Sequence, residues 1–342
     1  MRIAVDVMGG DHGIGVVIDG AHLALKSLPV IEQLVLVGRE NEIQAAMQDR
    51  GLRDQRVRIH HAPDVLEMGD KPTDVLRKKR DSSMAQAIGL VRDGKADAII
   101  SRGNTGGLLT ASTVFLRPID GVKRAAIATV IPTQHNEFIL LDAGANTECR
   151  PLHLAQFAVM GSIYSREIFG YAKPRVGILS NGSEEGKGTE LTQKAFALTK
   201  QLDLNFIGYV EGYDLFENKV EVVVTDGFVG NIVLKTIESL AKGMVHWLKD
   251  EFSKNPKRIL GAILAKNAIR SIKRRMDPDA YGGAPLLGLN GNVLKAHGSA
   301  KDRSIMNAIR VATESIQHGI NESIKTEIAR ANAVLPAEAT AE

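Results

Sequence analysis

Short runs of β-branched and apolar residues alternate with helix-length stretches along most of the chain. The runs predict strands over 3–7, 33–37, 57–60, 98–101, 126–130, 138–142, 175–179, 205–209 and 220–225. Their near-continuous apolar character suits strands covered on both faces, and the helical spacers suit crossovers in a parallel sheet. The series predicts a doubly wound, largely parallel, Rossmann-like α/β domain over 1–331. Periodicity leaves the strand order open. After about Thr326 the chain turns Ala/Glu-rich, which predicts a fraying helix and a disordered tail over 332–342.

The 252–276 segment breaks the pattern, with eight Lys/Arg and no Asp or Glu. Ile259, Ile263, Ile269, Ile272 and Met276 fall near helical spacing, with Leu260 and Leu264 alongside. Lys257, Arg258, Lys266, Arg270, Lys273, Arg274 and Arg275 interleave them. A basic amphipathic helix of this kind lies on an anionic membrane surface or docks an acidic protein. Alternatively it packs its apolar stripe on the core and leaves the basic face to solvent.

Composition narrows the class. Hydrophobic residues at 44% and charged residues at 24% of 342 exclude wholesale disorder. A net charge of +3 gives no case for nucleic acid, and 4% aromatics argues against a base-stacking platform. The single cysteine, Cys149, excludes an internal disulfide and a multi-cysteine metal site, and it fits a reducing cytosol. The N-terminus shows no signal-like apolar stretch, and no run approaches a membrane span. The expectation is a soluble cytoplasmic protein.

The 33 glycines cluster in turns that follow strands. In the first, Gly9 and Gly10 let backbone N–H groups approach an anion, and Asp11 with His12 forms either an acid/base pair or an N-cap beside a surface histidine. The second carries Ser101, Asn104, Thr105 and Gly106 ahead of a helix, which makes a phosphate cradle or a capped turn. A third holds Asp142 and Asn146, and a fourth, around Lys187, resembles a Walker loop but fails its spacing. Lys187 remains a candidate for holding phosphate or a developing oxyanion. Asp226 and Asn231 mark the fifth turn, and the sixth leads to Lys295 and His297. The dinucleotide glycine spacing, the G-x-S-x-G elbow and H-E-x-x-H are absent from these turns, and Cys149 has no local His partner. Covalent and zinc catalysis are both disfavoured.

Seven segments in order, DVMGGDH, SRGNTGGLLTA, LLDAGAN, NGSEEGKGTELT, VTDGFVGNIVLKTIE, YGGAPLLGL and KAHGS, closely resemble the PlsX family of bacterial phosphate acyltransferases. The resemblance runs from Arg2 to about Ala331. Two departures stand out: Arg102 replaces a residue that is often small, and the stretch Thr147, Glu148, Cys149 replaces a Val-Asp type. The resemblance implies a homodimer with a fold similar to phosphotransacetylases and isopropylmalate-type dehydrogenases. It implies acyl phosphate formation from long-chain acyl-acyl-carrier-protein and inorganic phosphate, feeding phospholipid synthesis through a membrane glycerol-3-phosphate acyltransferase. Peripheral association with the inner face of the cell membrane follows, with Ile259, Ile263, Lys266, Arg270, Lys273 and Arg274 as contacts. On this reading Gly9, Gly10, Asn104, Thr105 and Gly106 hold phosphate, and Lys187 supplies charge. His12 or His297 protonates the leaving thiolate or orients phosphate, and no metal or other cofactor is required. A dehydrogenase and a non-enzymatic membrane-docking protein are the rival classes.

Overall fold

The computed structural model describes residues 1–275 and 282–336. Each predicted run forms a strand: β1 (Arg2–Asp6), β2 (Gln33–Gly38), β3 (Val57–His61), β4 (Ala98–Ser101), β5 (Ala126–Pro132), β6 (Glu137–Leu141), β7 (Arg175–Leu179), β8 (Asn205–Val210) and β9 (Val222–Val224). Two more, β10 (Ala284–Leu287) and β11 (Asn292–Lys295), lie outside those runs. All join one sheet in the order β3-β2-β1-β4-β11-β10-β5-β6-β9-β7-β8.

The sheet is an α/β core with a largely parallel arrangement, as expected, but it contains a reversal. β3, β2, β1, β4 and β11 run parallel. β10 is antiparallel to both β11 and β5, and β5 is antiparallel to β6. β9, β7 and β8 then follow the direction of β6. The two parallel blocks therefore point in opposite directions, and their carboxyl ends open at opposite edges. Convergence of every strand-end turn at one edge, the expectation for a single parallel sheet, does not hold. Pro285 sits within β10, yet the β5 ladder begins only at Leu286, so the missing N–H leaves that ladder intact.

The helices are α1 (Ile14–Ser27), α2 (Glu40–Asp49), α3 (Ser83–Arg92), α4 (Thr105–Phe115), α5 (Pro151–Phe169), α6 (Glu190–Thr199), α7 (Gly227–Ser253), α8 (Pro256–Leu264), α9 (Lys266–Arg275), α10 (Asp302–Gln317) and α11 (Ile320–Val334). α1 packs on α10 over the first block, burying Ile18, Ala21, Ile305 and Ile309. α5 is buried along most of its length beneath α6 and α11, against the second block. In α7 only Gly227 and Gly230 are buried. A Cβ at Gly230 would sit 1.9 Å from the Asp142 carbonyl oxygen, so this glycine sets how closely α7 crosses the end of β6.

The basic segment forms two helices instead of one. Asn255 caps α8 by accepting from the Arg258 N–H at 3.0 Å, Pro256 occupies the first turn, and a break at Ala265 separates α9. Packing of its stripe on the sheet core is not observed. α8 buries no residue, and Ile263 and Leu264 are 63% and 80% exposed. Ile259, Ala262 and Ile269 instead meet α7 across an apolar hollow. Met276 and the 337–342 tail lie outside the described residues, as do the side chains of Lys273 and Arg274. No helix among the described residues is long and apolar enough to cross a membrane.

Replacement of Gly230 by Ala forces α7 off Asp142 and is expected to cost about 2 kcal/mol or more in urea unfolding. An unchanged midpoint would show that the close crossing is not obligatory.

Candidate active site

Asp6 at the end of β1 is buried and accepts hydrogen bonds from three donors: the Met8 N–H (3.2 Å), Ser83 Oγ (2.6 Å) and Ser101 Oγ (2.6 Å). Ser101 Oγ in turn accepts from the Gly103 N–H at 3.0 Å. One carboxylate thus ties the first two strand-end turns together. They touch so closely that a Cβ on Gly9 would lie 2.7 Å from Gly103 Cα. The turn after β11 completes the surface, because the Asp11 N–H donates to the Gly298 carbonyl at 2.9 Å. Gly10 beside it has φ +96°, a left-handed conformation that disfavours side chains.

Two cations lie within this arrangement. The Arg102 side chain is fully buried and donates to the carbonyls of His12 (2.8 Å) and Ala300 (3.3 Å), pinning the first turn to the last. Burial pushes its guanidinium below the ordinary value, against the pull of Asp6 and Asp11. Lys295 donates from Nζ to the carbonyls of Ala296 (2.6 Å) and Arg102 (3.1 Å). Its ammonium is pushed down to about 8, chiefly by burial and further by Arg102 and Lys235, with Asp6 and Asp11 opposing. It therefore stays mostly charged at neutral pH.

These turns close one end of a cavity of about 420 Å³. Asp11, Thr105, Lys295, His297 and Gly298 line that end, Ile127 and Thr129 of β5 line the middle, and Ala143 with Gly144 line the far end. α7 forms a side wall. It starts at the opposite edge of the sheet and crosses the face, so that Lys235, about 13 Å along the helix from Asp226, reaches the lysine end. Lys235 pairs with Glu238 at 2.9 Å. His297 Nδ1 meets the Ser299 N–H at 3.2 Å and Ser299 Oγ at 2.8 Å. Acceptance of the N–H by Nδ1 leaves the hydrogen of the neutral ring on Nε2.

Of the residues singled out from the sequence, Asp11, Thr105, Asn231 and His297 come together in this cavity. Gly9 and Gly10 form the packed backbone behind it, and Gly106 faces Pro72. Ser101 is committed to Asp6. Asn104 caps α4 by accepting from the Gly107 N–H at 2.9 Å, while its amide binds the carbonyls of Met68 and Asp70 at 3.1 Å each. Asp226 caps α7 through the N–H groups of Phe228 and Val229. Asn146 is held by Asp142 and the Ala125 carbonyl, against a second cavity. His12 is exposed and does not line the cavity. Lys187 is exposed on the loop after β7, which opens at the opposite edge, and it does not line the cavity either. Sequence reading missed Asp6, Lys235 and Lys295 as site residues; for Lys295 the signal was its place at the end of an apolar run, two residues before His297. Burial pushes the Cys149 thiol up to about 12, with Asp142 and Asp226 adding to the effect, so it stays protonated.

Loss of the Asp6 carboxylate strands three donors. Asp6→Ala is expected to lower stability by about 3 kcal/mol at roughly 1 kcal/mol per bond, read from urea unfolding. A change under about 1 kcal/mol would remove Asp6 as the anchor of the turns.

Comparison with known proteins identifies the family. A family model described as "Fatty acid synthesis protein" matches residues 1–323. A phosphate acyltransferase from Akkermansia muciniphila is 45% identical over 336 residues, covering 96% of each chain. One from Pelotomaculum thermopropionicum is 44% identical over 328 residues, covering 96% of this chain and 95% of its own. A phosphotransacetylase structure from Streptococcus pyogenes superposes with TM-score 0.60 over 92% of this chain and 94% of its own. At 17% identity it shows the shared fold alone. The chain belongs to this fatty acid synthesis family, the PlsX-type phosphate acyltransferases, and is an acyltransferase.

Proposed function

We propose that the chain transfers the acyl group of a carrier-bound thioester, a long-chain acyl-acyl-carrier-protein, to inorganic phosphate. The observation that carries this reading is Lys295: a half-buried, charged ammonium at one end of the cavity, flanked by glycine-rich turns and by His297. Phosphate is a small anion that such an end suits. One phosphate oxygen attacks the thioester carbonyl carbon, forming the C–O bond and a tetrahedral oxyanion. Collapse breaks the C–S bond, and the thiolate takes a proton to leave as a thiol. The proton is the one that monohydrogen phosphate gives up on becoming an acyl phosphate, and His297 Nε2–H is the group we assign to hydrogen-bond the leaving sulfur, in preference to His12, because His297 lines the cavity. Phosphate is already anionic at neutral pH, so the protein's share is positioning and charge stabilisation.

The resemblance and an exposed apolar face support the wider reading. Ile232, Leu240, Met244 and Trp247 of α7 and Leu260, Ile263 and Leu264 of α8 are exposed together. Such a face suits a homodimer contact and a membrane surface beyond it, with Lys266 and Arg270 toward anionic headgroups. From there acyl phosphate passes to a membrane glycerol-3-phosphate acyltransferase, at the inner face of the cell membrane.

The test follows loss of palmitoyl-acyl-carrier-protein with and without inorganic phosphate, trapping acyl phosphate as its hydroxamate. Product that depends on phosphate supports the reading, and a folded protein that makes none refutes it. Lys295→Met is expected to lower kcat/KM for phosphate about a hundredfold. Lys295 carries its charge below about pH 8 and sheds it above. Phosphate affinity should therefore fall as pH climbs through about 8, and Lys295→Arg, charged throughout, should abolish that limb. Substitution of Ile263 and Leu264 by Asp should abolish sedimentation with anionic liposomes while leaving turnover in solution; binding that survives would exclude α8 as the contact.

A further inference from the structure

A second cavity of about 420 Å³ lies beside the first and is not used by the chemistry above. The same two elements wall both. Thr105 of α4 lines the first, and Leu109, Thr110 and Thr113 of the same helix line the second. Ala143 and Gly144 line the first, and Ala145, Asn146 and Thr147 of the same turn line the second. Because α4 runs down from the Lys295 edge, the pair forms a trench across the sheet face. Thr105 to Thr113 alone covers about 12 Å.

The far end of the trench carries charge. Lys123 and Arg124, at the start of β5, line the second cavity and are exposed. Neither joins an ion pair among the described residues. Glu148 is the only carboxylate among the residues lining this cavity, so the cations are in excess. The field reaches inward: His153 is held down to about 4 by burial, then by Arg124, Arg150 and Lys123.

We infer that this second cavity is the port for a phosphopantetheine-type thioester arm, with Lys123 and Arg124 holding the arm's own phosphate. The inference rests on the acyltransferase reading, and it assigns the trench a direction. The arm enters between α4 and the 145–148 turn, its phosphate stops at the two cations, and its sulfur reaches the Lys295 end. A phosphodiester carries one negative charge, which two unpaired cations and the Thr110 and Thr113 hydroxyls match. The arm is common to coenzyme A and to carrier proteins, so its phosphate, not the rest of either molecule, is the recognised group.

The experiment compares two small acyl thioesters, acyl-phosphopantetheine and acyl-pantetheine, which differ only in that phosphate. The parent chain is expected to prefer the phosphorylated one by about tenfold or more in kcat/KM. In Lys123→Ala/Arg124→Ala the preference collapses toward one, through KM and not kcat. Arg124→Gln alone gives a partial loss, and a thermal unfolding midpoint checks that each variant is folded. A parent without the preference, or a double variant that keeps it, overturns the inference. Turnover of neither thioester and of no carrier-bound one overturns the acyltransferase reading and this inference with it. Acyl-coenzyme A and acyl-carrier-protein separate the sources: a raised KM for both supports the arm's phosphate. A raised KM for the carrier protein alone overturns the inference in favour of a protein-surface contact.

Discussion

The carboxylate of Asp6 joins elements that are distant in sequence. Its two oxygens take the Ser83 hydroxyl at the start of α3 and the Ser101 hydroxyl at the end of β4, and the Met8 N–H closes the first turn onto the same group. Each bond is modest by itself, but the three share one buried acceptor and leave it no other partner to find. Gly9 against Gly103 leaves no room for a Cβ at that contact. Asp6 also acts on Lys295, pulling its ammonium up against the burial that pushes it down. Packing and turn geometry at this end depend on a single buried acid, which also acts with Asp11 against the burial of Lys295.

The second constraint is the reversal at β10, β5 and β6. In a uniformly parallel sheet, ligand sites gather at one edge. Here the Asp142 and Asp226 turns open at the other edge, and α7 and α4 traverse the face between them. Asp142 plays the part of Asp6 on that side, accepting from the N–H groups of Ile127, Gly144, Ala145 and Asn146. Burial pushes its carboxyl up while those donors pull it down. The reversal turns a strand-end pocket into a trench with two ends of different chemistry, a half-buried lysine at one and a pair of exposed cations at the other.

Much of the fold was legible because nine strands are β-branched runs long enough to stand out from their helical spacers. β10 and β11 were not, since APLL and NVLK are four residues each, with a proline in one and glycines around both. The reversal itself lies in the β5–β6 hairpin, whose short 133–136 connection was not read as a turn between antiparallel strands, and it is why Lys187 and Lys295 face different edges. Site residues were legible as turns but not as roles. Ser101, Asn104 and Asp226 are polar groups at helix starts, where capping competes with ligand binding, and the structure shows each one bonded within the protein. Lys295 was hidden for a different reason: a lysine at the end of a strand reads as solvent-facing until the neighbouring turns bury it.

The central claim is that Lys295 is the cation that meets phosphate. Its side-chain nitrogen can be followed directly by heteronuclear NMR in the parent chain, titrated with and without inorganic phosphate. The account predicts a midpoint near 8 that moves up when phosphate is added. A lysine that titrates at its ordinary value of about 10.4, or one whose midpoint ignores phosphate, would contradict it.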